Sequence, residues 1–147
     1  MKKLFLAAIA AITLTTTVIA ADGSKKVSST ILNNFRSTYK EAGDIKWTVT
    51  DQFAKASFLM DGERVEAYYG TDGHFLAESK AVSTQDIPKA AKRDLQKKYS
   101  SYTIKEVIQY ATFDKVEYYV SLENEKETKI LKISGTGDVQ VYRTTEK

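Results

Sequence analysis

The sequence predicts an α+β protein built from two tandem α-β4 repeats, with two helices on one face of an eight-stranded antiparallel sheet. Three observations carry this. The stretch Phe53–Glu78, FAKASFLMDGERVEAYYGTDGHFLAE, reads as three strands joined by tight turns at Asp61-Gly62 and Asp72-Gly73. Glycine supplies the positive φ that such short turns need. A second stretch, Phe113–Arg143, echoes it: Gly70-Thr71-Asp72-Gly73 by Gly135-Thr136-Gly137-Asp138, and Phe58-Leu59-Met60 by Tyr118-Tyr119-Val120. Each stretch is preceded by one amphipathic helix and one alternating strand.

The first elements are read as follows. Met1-Lys2-Lys3 is basic, Leu4–Ile19 is apolar and rich in Thr, and Ala20 and Ala21 are small. That is the pattern of a secretory signal peptide over residues 1–21, cleaved after Ala20 or Ala21. The apolar run is short for a membrane span, so no stable membrane insertion is expected after cleavage, and the protein is expected to be periplasmic or secreted. The chain has no Cys, which excludes lipid attachment and disulfides. The remaining domain, residues 22–147, is long enough to hold one core without staples. Loss of Lys2 and Lys3 takes two charges from a formal +3 and leaves the domain close to neutral. Lys and Glu interleave along it, so no nucleic-acid partner is expected.

Val27, Ile31, Phe35 and Tyr39 recur every four residues and predict a helix over 27–42, capped by Ser24 or Ser28 and closed by Gly43 as a C′ glycine. Ile45–Thr50 alternates as a half-buried strand, and the three strands of Phe53–Glu78 follow, giving a first repeat over 27–80. Pro88 suits the first turn of a second helix, whose stripe is Ile87, Ala91, Leu95 and Tyr99, with Lys97 and Lys98 favourable at its C-terminal end. Ile104–Tyr110, Lys115–Leu122, Glu127–Ile133 and Val139–Arg143 are the strands of a second repeat over 84–145. Tyr39 and Tyr99 lie sixty positions apart, as do Lys55 and Lys115, whereas Gly70 and Gly135 lie sixty-five apart, so the second repeat should carry a longer hairpin.

Catalytic chemistry finds little support. The one His, His74, follows a turn, and there is no nucleophile elbow, phosphate loop or HExxH pattern. The sequence is therefore read as non-enzymatic, with no cofactor. Asp72, His74 and Glu78 are too scattered to argue for a metal site. Glu63, Glu66, Glu117 and Glu127 stand among Lys and Arg neighbours and read as solvated carboxylates. A binding face is better supported. Side chains alternate across a strand, so Ala56-Phe58-Met60 and Val116-Tyr118-Val120-Leu122 should face the helices. Lys55-Ser57-Leu59 and Lys115-Glu117-Tyr119-Ser121 should then face the open side, with Leu59 and Tyr119 as anchors. Val65-Ala67-Tyr69 puts Tyr69 inward and Tyr68 outward, while Leu131 and Ile133 argue for the opposite frame.

Taken in order, Phe35, Tyr39 and Ala42, Ile45-Lys46-Trp47, Tyr68-Tyr69, Gly70–Gly73, Ile87-Pro88 and Lys98-Tyr99 resemble the PepSY-like, or β-lactamase-inhibitor-like (BLIP-like), small exported bacterial proteins. The resemblance covers essentially the whole chain after the leader and implies a curved sheet with the helices on its convex side. It also implies a non-catalytic module that binds another exported protein, such as a hydrolase, through the concave face and a hairpin aspartate, whose place here would be Asp61. The partner-binding residues expected are thus Asp61, Lys55, Leu59, Tyr68, Glu117 and Tyr119. This chain lacks the cysteines of those inhibitors. The alternative is a small-molecule or ion sensor using the concave sheet face.

Overall fold

The computed structural model describes residues 26–147; the leader expected over 1–21 lies outside them. Helix α1 spans Ser29–Thr38 and α2 spans Lys89–Lys98. The strands are β1 (Gly43–Val49), β2 (Phe53–Met60), β3 (Glu63–Gly70), β4 (Phe75–Ala81), β5 (Thr103–Ala111), β6 (Val116–Glu123), β7 (Glu127–Ser134) and β8 (Val139–Glu146). They form one open antiparallel sheet in sequence order, β1 to β8. The halves join where β4 pairs with β5 through Glu78↔Ala111, Ser79↔Tyr110, Lys80↔Gln109 and Ala81↔Ile108. Both helices lie on the same face of this sheet. No helix among the described residues is long and apolar enough to cross a membrane.

Helix α1 starts where Ser28, in extended conformation, accepts the Ile31 N–H at 3.3 Å. Its end differs from expectation. The helix stops at Thr38, the Tyr39 N–H closes on the Phe35 carbonyl, and Gly43 opens β1 instead of capping the helix. The residue that turns left-handed is Asp44, at φ 48°. Tyr39 is the C-cap residue, as Tyr99 is of α2, and its hydroxyl donates to Glu78 Oε2 on β4 at 2.7 Å. Pro88 precedes α2 as its N-cap residue, and its carbonyl accepts the Lys92 N–H at 3.1 Å.

Each helix packs its own cluster. Ile31, Phe35 and Tyr39 bury Ala54, Ala56, Phe58, Val65, Ala67 and Tyr69. Ile87, Ala91 and Leu95 bury Val107, Val120, Leu122, Leu131 and Ile133. Burying a side chain such as Phe35 or Leu131 contributes about 1.5–3 kcal/mol.

The hydrogen-bond pattern corrects the correspondence between the repeats. In the β3–β4 turn the Gly70 N–H donates to the His74 carbonyl and Gly73 N–H to the Gly70 carbonyl; in the β7–β8 turn Ser134 and Asp138, then Gly137 and Ser134, make the same two bonds. Gly70 therefore answers to Ser134, not Gly135, and the offset is sixty-four. Leu131 and Ile133 then answer to Ala67 and Tyr69, and every one of them faces a helix. A slip of one residue exchanges the two faces of a strand, which is why aligning on Gly135 gave contradictory frames. Phe58 answers likewise to Leu122, not to Tyr118: the pairs Phe58↔Val65 and Leu122↔Lys129 coincide. The β2–β3 and β6–β7 hairpins are consequently of equal length. The extra residues sit in the β5–β6 hairpin, which runs four residues past the Val107↔Val120 pair to Ala111↔Val116, whereas β1–β2 runs two past Trp47↔Ala56 to Val49↔Ala54.

Candidate functional site

The face of the sheet away from the helices is covered by its own side chains. Glu66, on β3, is its centre. Its carboxylate accepts Lys55 Nζ at 2.9 Å and Ser57 Oγ at 3.2 Å on one oxygen, and Tyr68 Oη at 2.7 Å and Ser79 Oγ at 3.5 Å on the other. These partners come from β2, β3 and β4, so one carboxylate ties three strands. Burial by itself would raise the Glu66 carboxyl. The hydrogen bonds from Lys55, Tyr68 and Ser57 and the Lys55 charge outweigh it and hold the group below the usual carboxylate range.

Glu117, on β6, is a second centre. Lys115 Nζ and Lys132 Nζ approach its Oε1 at 3.1 and 3.0 Å. Here too burial acts upward, and the two lysines prevail and keep the carboxyl low. Between and beyond the carboxylates runs a row of rings. Phe53 and Tyr68 have centroids 5.9 Å apart, Tyr110 and Tyr119 6.5 Å, and Tyr119 and Tyr142 5.5 Å, the last two pairs edge-on. Burial, then the negative charge of Glu66, raises the Tyr68 hydroxyl well above the ordinary tyrosine range; burial, then Glu117, does so for Tyr119. Both stay protonated at physiological pH, and Tyr68 keeps its bond to Glu66.

The expected partner-binding residues are distributed as follows. Lys55, Leu59, Tyr68, Glu117 and Tyr119 lie on the open face, with Lys55 directly opposite Tyr68 and Tyr119 opposite Lys132. Asp61 stands apart, exposed at the β2–β3 turn, where it and Gly62 adopt φ 54° and 81°. Lys55, Tyr68, Glu117 and Tyr119 belong to the two networks. Tyr68 and Tyr119 are only 8% and 5% exposed, so they form the floor of the face and not projecting anchors. Glu66, read from sequence as a solvated carboxylate, is the hub. Its position two residues before Tyr68 on one strand was the available signal. Lys132 is on this face only in the corrected frame of β7, and Tyr110 joins it through the β4–β5 pair Ser79↔Tyr110, which a reading of separate repeats does not reach. Among the described residues no three His, Asp or Glu side chains converge on a metal-sized space. His74 is exposed beside its turn, where its N–H donates to Asp72 Oδ1.

No protein-family model matches the sequence, and no curated protein does. Solved structures do resemble it. A BLIP-like protein from Bacteroides fragilis is 18% identical, with 84% of this chain and 89% of that one covered and a TM-score of 0.69. A DUF2874 family protein from Bacteroides uniformis is 14% identical over 82% of this chain and 90% of that one, TM-score 0.71. A protein from Bacteroides eggerthii described as a candidate periplasmic protein is 12% identical over 83% and 90%, TM-score 0.72. At these identities the likeness is one of fold, and the fold is BLIP-like; the PepSY part of the resemblance rests on the sequence motifs alone.

Proposed function

We propose that the chain is an exported, non-catalytic module that binds another exported protein, such as a hydrolase, through the open face of its sheet and the Asp61 turn. The observation that carries this reading is the face itself. It is left uncovered by both helices, yet its charges are already paired and its rings already packed, as at Glu66 and Glu117. Such a surface loses little side-chain entropy on docking. Both carboxylates are already engaged, Glu66 by Lys55, Tyr68 and two serine hydroxyls and Glu117 by two lysines, which suits recognition better than turnover. The candidate periplasmic protein and the BLIP-like protein of the same fold support export and protein binding by analogy of architecture.

The test uses purified protein as bait against exported proteins of the source cell, followed by direct binding and inhibition assays on each hydrolase recovered. Leu59→Glu and Asp61→Asn alter the surface without touching the core. Saturable binding that falls at least tenfold in these variants supports the reading. A protein that recovers no exported partner, or whose binding ignores both substitutions, sinks it.

A further inference from the structure

A cavity of about 290 Å³ opens beside α2, on the helix side of the sheet and away from its open face. Its apolar floor is Ile87, Leu95, Ile104 and Leu122, with Tyr99 and Tyr102 as an aromatic wall. The repeat explains why space exists there. Leu95 and Leu122 occupy the positions held in the first half by Phe35 and Phe58, whose rings pack edge-on with centroids 5.0 Å apart. Trp47, which packs against Phe35 at 5.2 Å, is answered by Val107. At the cavity two phenylalanines are thus exchanged for leucines, while the larger Val120 and Leu131 stand where the first half has Ala56 and Ala67, away from the opening. The tyrosine that leaves the helix also behaves differently. Tyr39 lies on Phe58 at 4.7 Å, whereas Tyr99 turns to Tyr102 at 5.8 Å and borders the opening.

The rim has one sign of charge. Thr84, Gln85, Gln96 and Ser100 are neutral, Lys92 is cationic, and no carboxylate among the described residues lines the cavity. Lys92 Nζ donates to the Gln85 carbonyl at 2.7 Å and to Gln85 Oε1 at 3.4 Å. An ammonium has three donors, so one is left for a ligand. The volume lies at the small end of the range for ligand sites.

We infer that this cavity binds a small carboxylate amphiphile, its aliphatic or aryl body against Leu95 and Leu122 and its carboxylate at Lys92. The site is separate from the protein-binding face, and its test does not depend on that reading. Octanoate and 3-phenylpropionate are titrated into the isotopically labelled protein, with octylamine as the cationic control. The expected result is saturable amide shifts confined to residues 84–104 and the neighbourhood of Leu122, a raised melting temperature, and no response to octylamine. Leu122→Phe, which installs the first half's residue, should abolish the shifts while unfolding stays cooperative; Gln96→Trp at the exposed rim is a second blocking variant should the first fail to fold. Lys92→Met should weaken octanoate about tenfold and remove its preference over octanamide. The inference is overturned by the absence of saturable shifts, by shifts mapping to the open face, or by undiminished binding in a folded blocking variant.

Discussion

Lys55 of β2 and Tyr119 of β6 stand at the same position of the two repeats, and each faces across the ladder the residue type that the other carries: Lys55 opposite Tyr68, Tyr119 opposite Lys132. The open face is thus assembled from one cross-strand Lys–Tyr pair used twice with its members exchanged. Packing between rings and lysine stems makes Tyr119 only 5% exposed although no helix lies over it. It should therefore behave as a core residue. Tyr119→Ala is expected to cost about 3 kcal/mol in urea unfolding, near the lower end for deleting a buried aromatic, and Tyr119→Phe less than about 1 kcal/mol. Equal, small effects of both would show that the ring is not buried in solution.

Acid stability should depend on Glu66. Its folded carboxyl lies below the unfolded value because the bonds from Lys55, Tyr68 and Ser57 exceed the upward push of burial. A depressed carboxylate contributes stability above its unfolded pKa, about 4.3, and that contribution is lost as pH falls through the folded value. Wild-type stability should thus decline from about pH 5 downward. Glu66→Gln should be less stable at pH 7 and show a shallower decline below pH 5. An identical acid limb in the variant would mean that Glu66 does not titrate as its partners require.

Two helix-side tyrosines should respond oppositely to removal of their hydroxyls. Tyr39 Oη donates to Glu78 at 2.7 Å, and a bond to a charged group is worth about 1.5–3 kcal/mol. Tyr69 Oη is buried without a hydrogen-bond partner among the described residues, and burial, then the charge of Glu78, pushes its pKa up to about 12. Tyr39→Phe should lower stability by about 1–2 kcal/mol. Tyr69→Phe should be neutral or stabilising, because it removes a polar atom that burial penalises. Chemical denaturation of both variants beside the wild type checks the sign of the difference.

Much of this architecture is written in local pattern. The period-two series around Ala56-Phe58 and Val116–Leu122 identifies the helix-facing sides, and Asp61-Gly62 has the positive φ pair that its composition demands. What was not legible has a common cause. Aligning Gly70 with Gly135 maximises identity, but the turn hydrogen bonds align Gly70 with Ser134. That one-residue slip hid the frame of β7, while the separate alignment of Lys55 with Lys115 and of Phe58 with Tyr118 hid the location of the longer hairpin and the exchange of Phe58 for Leu122. The Glu66 hub was obscured differently. Its partners lie on three strands, and which long side chains meet there is decided by cross-strand register. The end of α1 lies before the glycine signal at Gly43, because that glycine opens β1 and the helix closes at Tyr39 as α2 closes at Tyr99.

Gly73 and Gly137 offer the sharpest test of the corrected correspondence. Both have positive φ, 92° and 100°, and both press on the first turn of the helix of their own repeat. A Cβ on Gly73 would lie 2.7 Å from Thr30 Cγ2, and one on Gly137 would lie 3.0 Å from Ala90 Cβ. Backbone strain alone costs an L-residue about 1–2 kcal/mol in this region, and the contact with the helix adds to it. Gly73→Ala and Gly137→Ala should each lower unfolding stability by about 2–3 kcal/mol. Gly43 provides the control, since it lacks positive φ and a Cβ there meets nothing within 4 Å. Gly43→Ala should be neutral or stabilising by up to about 1 kcal/mol, through loss of unfolded-state freedom. If Gly73 and Gly137 behave like Gly43, the turns do not seat against the helices, and the sixty-four-residue register built on them fails with that contact.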